Sequence, residues 1–161
     1  MRHGEALSAA EDGQRPLSLK GQKDAKAIGS YLAECQVFIP QIIHSPRVRA
    51  KQTAEFVAES MPKARLVEAQ TGLDETDTLD YILEELPSWH EDTLIVGHLP
   101  FLSQLVSQLV IQQPDLSIMR FAPATMVCLE LHEAQRWSIS WIISPALLKR
   151  VTAADQAKDM F

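Results

Sequence analysis

Three short stretches of the chain hold residue types that can work on an anion. The first is Arg2-His3-Gly4-Glu5. An arginine beside a histidine sets a planar, permanently charged fork next to a nitrogen nucleophile, and Gly4 removes the side chain that would keep an anion from the backbone. The competing reading is three polar residues at a frayed terminus. The second stretch is Ser45-Pro46-Arg47-Val48-Arg49-Ala50-Lys51-Gln52-Thr53, where a strand pattern turns into a helix pattern. Arg49 falls in the first helical turn, so its guanidinium and the free backbone N–H groups there can face an anion together. Arg47 and Lys51 read as solvated surface charges. The third is Gly97-His98, directly after the apolar run Leu94-Ile95-Val96. Taken alone, a histidine at a strand end is as readily a hydrogen-bonded structural group as a site residue.

Each stretch lies where a strand pattern gives way to a helix pattern, and in an open α/β sheet ligands gather where loops leave the carboxyl ends of strands. The three are therefore expected to meet at one sheet edge. A transferring phosphoryl group spreads its charge over equatorial oxygens and needs in-line access for the attacking atom. Arg2 and Arg49 supply a clamp, and His3 and His98 supply a nucleophile and a further donor.

The elements that must position these residues alternate along the chain. Ser8 to Gln14 is polar and aperiodic, a loop; a helix then opens at Ser18 or Leu19 and runs to about Ala33, with Ala25, Ile28 and Leu32 at helical spacing. Val37 to Ile43 has the composition of a buried strand, broken or started late by Pro40. Helix from about Val48 to Ser60, strand from Arg65 to Ala69 and helix from Thr78 to Leu86 follow, then an uninterrupted apolar strand at Thr93 to Val96 that needs cover on both faces. Pro100 opens the next helix, to about Val110. Strands at Thr125 to Leu131 and Trp137 to Ile143 flank a polar turn, and a last helix begins near Pro145. This alternation predicts a three-layer α/β/α sandwich with a mainly parallel sheet. With 161 residues, 46% of them apolar, it is expected to form a single domain over 1–161.

A formal net charge of −6 argues against a nucleic-acid partner, so any phosphate-binding charge has to be local. Cys35 and Cys128 lack the spacing of a metal or redox pair and read as buried packing residues. No stretch has the apolar run of a signal peptide or a bilayer span, which makes the cytoplasm the expected location and a membrane partner unexpected.

At these residues the chain resembles the histidine phosphatase superfamily, also called phosphoglycerate mutase-like, and within it the short SixA-type phosphohistidine phosphatases. The family's Arg-His-Gly stands as Arg2-His3-Gly4, its Ser-Pro-x-x-Arg-Ala-x-Gln-Thr as Ser45 to Thr53, and its second histidine as His98. Arg15-Pro16-Leu17-Ser18 looks like the Arg-Pro-Leu-Thr before that subgroup's first helix, and Ser144-Pro145 to Lys149 is also similar. The resemblance implies a phosphoglycerate mutase-like fold, with His3 as the nucleophile that becomes phosphorylated and Arg2, Arg49 and His98 on the phosphoryl oxygens. Gly4 and Arg15 would belong to the substrate pocket, although a structural salt bridge explains Arg15 equally well. No metal or other cofactor is called for.

Two departures matter. Larger members carry a glutamate acid between the second and third motifs; here the region reads Gly72-Leu73-Asp74-Glu75-Thr76, so Asp74 or Glu75 is such an acid or else a helix-start carboxylate. A phosphoramidate leaves as a protonated or hydrogen-bonded imidazole, whereas an alkoxide needs a positioned acid, so weak acid equipment favours phosphohistidine. Few residues remain for a lid, which suits a side chain presented by a folded protein. The expected function is therefore hydrolysis of phosphohistidine on a histidine-phosphotransfer domain or phosphocarrier protein, through a phosphohistidine enzyme intermediate in signal transduction. The alternatives are a small-molecule phosphomonoesterase and a non-catalytic phosphate-dependent binding module. The second departure is at the start: the family has an apolar strand of about five residues before Arg-His-Gly, and here only Met1 precedes it. Met1 is thus expected to be an internal position, with the strand lying upstream.

Overall fold

The structure is a computed structural model and describes residues 1–69 and 72–158. Helix α1 (Leu19–Glu34) starts where Ser18 accepts the Gly21 N–H, and it buries a stripe from Gly21 through Ala25 and Ile28 to Leu32. Next come β1 (Gln41–His44), α2 (Val48–Ala58), β2 (Arg65–Glu68), α3 (Asp80–Glu85) with a 3₁₀ turn at Leu86–Ser88, β3 (Thr93–Val96) and α4 (Phe101–Ile111). The chain closes with β4 (Met126–His132), a 3₁₀ turn at Glu133–Gln135, β5 (Arg136–Ile143) and α5 (Pro145–Lys158).

The outline matches the expected alternation, with Pro40 holding back β1 until Gln41 and α4 beginning one residue after Pro100. One expectation fails: Cys35 is exposed and Cys128 only half-buried. Cys35 is the C-cap of α1, past the last buried turn at Leu32, where the chain has already turned from the core.

Strand β1 lies between β2 and β3, parallel to both, with Ile42 level with Leu66 and Leu94. Strands β4 and β5 form a separate antiparallel pair. Among the described residues, Met1 to His3 carry the backbone between the two ladders. On the β3 side Gly97 N–H donates to the Met1 carbonyl and His3 N–H to Gly97; on the β4 side Arg2 N–H donates to Thr125 and Ala124 N–H to His3.

Helices cover both faces. One apolar cluster joins α1, α2 and α5 to β1 and β3 through Ile28, Leu32, Ile42, Val57, Val96 and Leu148. The other gathers Leu73, Ile82, Phe101, Leu105 and Phe121 around α3 and α4. A parallel ladder buried on both sides favours near-continuous apolar strands; β3 supplies Leu94-Ile95-Val96, and β1 supplies Ile42-Ile43 between polar ends. No helix among the described residues is long and apolar enough to cross a membrane.

Candidate active site

The chain leaves the sheet three times along one edge, after Arg2, after β1 and after β3, and the three exits meet. Ser45 N–H donates to the Val96 carbonyl, tying the second exit to the third. Gly4 N–H donates to Thr53 Oγ1 at 2.9 Å, and the Thr53 hydroxyl donates to the Arg49 carbonyl at 2.7 Å, tying the first exit to α2. Burial follows: His3, Ser45, Arg49, Thr53 and His98 are all 9% exposed or less.

Hydrogen bonds fix the state of each imidazole. His3 Nδ1–H donates to the Gly4 carbonyl at 2.6 Å, which leaves Nε2 with its lone pair. Ser45 Oγ accepts from the Arg47 N–H at 3.3 Å, so its own hydrogen is free to donate to His98 Nε2, 2.9 Å away. His98 therefore carries its proton on Nδ1. The two rings lie 5.0 Å apart, centroid to centroid.

Burial pushes the His3 pKa down to about 4; the bond to Gly4 opposes this, and His98, Arg49 and Arg2 add to it. Burial likewise lowers His98 to about 4, with Arg49 adding to the shift. Both rings are neutral at pH 7 although two guanidinium groups stand beside them.

Several donors at the site are buried without a partner. Arg2 Nη1 is fixed on the Phe121 carbonyl at 2.7 Å, while Arg2 Nε, Arg49 Nε and His98 Nδ1 are buried with no hydrogen-bond partner. Buried donors of this kind each cost about 1–3 kcal/mol unless something accepts from them. Three such donors belong to residues whose charges or rings act on His3, an arrangement that could accept an oxyanion.

Arg2, His3, Arg49 and His98, read from the sequence as one site, are brought together. The adjacent carboxylates part company. Glu75 Oε1 pairs with Arg49 Nη2 and lies 3.7 Å from His98 Nδ1, so it is in the pocket. With His98 neutral, that second contact is a donor facing a carboxylate rather than an ion pair. Asp74, the less exposed of the two, holds Arg47 through two bonds of 2.7 and 3.1 Å, which lowers the carboxyl's pKa. Neither starts a helix, since α3 begins at Asp80. Each carboxylate is thus engaged by one arginine of the second motif, Asp74 by Arg47 and Glu75 by Arg49.

Two further residues differ from expectation. Arg15 is exposed, donates to the Leu7 carbonyl at 3.3 Å and makes no bond to the four clustered residues. Its loop is anchored by the Leu7 N–H on the Pro16 carbonyl. Gly4 offers its N–H to Thr53 rather than to an anion, and a Cβ there would lie 2.9 Å from the Gly21 carbonyl. Its lack of a side chain serves close packing against α1. The sequence reading did not single out Ser45, Thr53 or the Phe121 carbonyl as site parts; the fixed Ser and Thr of the second motif were the available signal for two of them.

The family model for the histidine phosphatase superfamily (branch 1) matches residues 1–93. The chain belongs to that superfamily. It is a histidine phosphatase, and this membership removes the binding-module alternative. Phosphohistidine phosphatase SixA of Escherichia coli (strain K12) is 28% identical over 158 residues, covering 95% of this chain and 96% of that protein. A solved structure of the protein histidine phosphatase SixA complexed with tungstate superposes with a TM-score of 0.80 at 27% identity, covering 92% and 96% of the two chains. The alpha-ribazole phosphatase of Shigella flexneri shares the fold, with a TM-score of 0.73 at 14% identity over 90% and 95%. The three-layer, phosphoglycerate mutase-like architecture is thus that of this histidine phosphatase.

Proposed function

We propose that this phosphatase hydrolyses phosphohistidine on a folded partner, such as a histidine-phosphotransfer domain or a phosphocarrier protein, with His3 carrying the phosphoryl group in between. The observation that carries the mechanism is the state of His3: neutral, with Nδ1–H spent on Gly4 and Nε2 free among three buried, unpartnered donors. Nε2 attacks phosphorus in line. The bond from phosphorus to the partner's imidazole breaks, and that ring leaves with a proton from solvent. Arg2, Arg49 and His98 Nδ1–H hold the equatorial oxygens throughout. Water then attacks the phosphorus on His3, releasing inorganic phosphate and restoring the neutral ring.

The choice of substrate is supported by the E. coli relative, itself named a phosphohistidine phosphatase. The tungstate in the related structure is a tetrahedral oxyanion of the class this pocket would take. A second reading has a specific observation behind it. Glu75 sits against Arg49 and 3.7 Å from His98 Nδ1, where a protonated carboxyl could serve an alkoxide leaving group. The sequence argument from weak acid equipment therefore loses force, and a small-molecule phosphomonoesterase stands as the alternative.

One assay separates these. Wild type, His3→Ala and Glu75→Gln are incubated with phosphohistidine proteins and phosphomonoesters, scoring phosphate release and acid-labile label on the enzyme. Release from phosphohistidine proteins that survives Glu75→Gln and vanishes with His3→Ala is the expected result. Ester hydrolysis abolished by Glu75→Gln, with no turnover of phosphohistidine, would assign the second reading. Label or turnover persisting in His3→Ala would end both.

A further inference from the structure

Two of the groups that would hold phosphoryl oxygens already face an anion that belongs to the chain itself. Arg49 Nη2 pairs with Glu75 Oε1, and the same oxygen lies 3.7 Å from His98 Nδ1, a buried donor with no hydrogen-bond partner. One carboxylate oxygen thus stands where a phosphoryl oxygen would have to stand to meet both donors. Arg49 is the closer of the two, and its side chain is almost wholly buried.

Charge keeps the two anions from sharing the place. A phosphoryl group carries about −1.5 to −2 at pH 7, which the guanidinium groups of Arg2 and Arg49 balance. Arg47 is engaged by Asp74 through two bonds, so a carboxylate left in contact would face a like charge without a cation of its own. The backbone around Glu75, by contrast, is anchored without that side chain. Asp74 N–H donates to Asp77 Oδ2 at 2.7 Å, and Glu75 N–H donates to Asp74 Oδ1 at 2.8 Å. The Glu75 side chain is 45% exposed and ion-paired to one arginine nitrogen, so rotation about its own bonds carries the carboxylate into water.

We propose that Glu75 is a displaceable internal anion, which yields Arg49 and His98 to an arriving phosphoryl group and reclaims them as inorganic phosphate leaves. The proposal rests on the reading in which those two residues hold phosphoryl oxygens. Its physical content is competition: the apparent affinity of any oxyanion falls by the fraction of molecules in which the carboxylate has swung away. The penalty falls equally on substrate and product. A folded partner offsets it with contacts outside the pocket, which free phosphate lacks. Glu75 thereby keeps free phosphate from occupying two guanidinium groups that would otherwise hold it, and determines which phosphoryl compounds fill the site.

The test is calorimetric titration of inorganic phosphate at pH 7 into wild type, Glu75→Gln, Glu75→Ala, Asp74→Asn and Arg49→Lys. Calorimetry reads binding without turnover, so the result does not depend on whether the substrate is a phosphohistidine or an ester. Both Glu75 variants are expected to bind phosphate about tenfold or more tightly than wild type, and Asp74→Asn, which removes the same charge one residue away, no more than about threefold. Phosphate that binds the Glu75 variants measurably and wild type not at all is the same result in stronger form. Equal tightening by Asp74→Asn would reduce the effect to net charge and overturn the proposal. Unchanged or weaker binding in both Glu75 variants would overturn it too, with the pocket reading intact so long as Arg49→Lys weakens phosphate. If Arg49→Lys binds phosphate as wild type does, the anion is not in this pocket, and the reading beneath the proposal fails with it.

Discussion

A nitrogen nucleophile needs its lone pair, and His3 keeps it because burial and two neighbouring guanidinium groups hold its pKa at about 4. A solvated imidazole would lose half its neutral form near pH 6.5. The acid limb of kcat/KM, which reports ionisation in the free enzyme, is therefore expected near pH 4, with a flat profile from about pH 5 to 8. A pH–rate profile corrected for spontaneous substrate breakdown checks this, and a midpoint near 6.5 would contradict it. Ser45 acts one step removed. Its hydroxyl holds His98 Nε2 and so keeps the Nδ1 proton toward the pocket. Ser45→Ala should lower kcat about 10- to 100-fold with KM and melting temperature little changed, whereas a merely structural serine would move the melting temperature instead. Arg49→Lys should cost about a hundredfold or more in kcat/KM, since an ammonium cannot offer the planar fork.

At the scale of elements, the site depends on how closely α1 approaches the Arg-His-Gly segment. A Cβ on Gly21 would lie 2.1 Å from the Glu5 carbonyl, a backbone atom that can yield only by displacing the segment carrying His3. Gly21→Ala is thus expected to cost about 2–3 kcal/mol, or a melting temperature lower by about 4–12 °C, and to reduce activity as well. Thermal unfolding and a turnover assay measure both; a stable, fully active variant would show that the contact relaxes. Elements were legible in the sequence because their cues are local. The spacing of Ala25, Ile28 and Leu32, the apolar run Leu94 to Val96 and the break at Pro40 each fixed an element to within a few residues. The convergence of Arg2, His3, Arg49 and His98 was legible through the rule that strand ends share an edge. Long-range pairing was not: nothing local separates Asp74, turned to Arg47, from Glu75, turned to Arg49. Nor does local sequence show that Arg15 bonds to the Leu7 carbonyl, or that Gly4 is needed for the approach of Gly21.

The whole molecule bears the cost of a pocket that keeps cations beside neutral rings. His3 and His98 titrate near pH 4 when folded, against about 6.5 when solvated, so between those values the unfolded chain binds more protons than the folded one. The sign follows: stability is full above about pH 6.5 and is lost as pH falls toward 4. Each ring accounts for about 3 kcal/mol over that window, a large share of the ~5–15 kcal/mol of a typical domain. Urea midpoints measured from pH 8 to 4 should therefore decline steadily below 6.5, and His98→Asn should flatten that decline by removing one of the two rings. Inorganic phosphate or tungstate should restore the midpoint at pH 5, because an anion against Arg2 and Arg49 raises both imidazole pKa values and binds the folded state alone. A midpoint indifferent to pH between 6.5 and 4.5, or indifferent to the oxyanion at pH 5, would mean that the two rings and two guanidinium groups do not share one buried pocket.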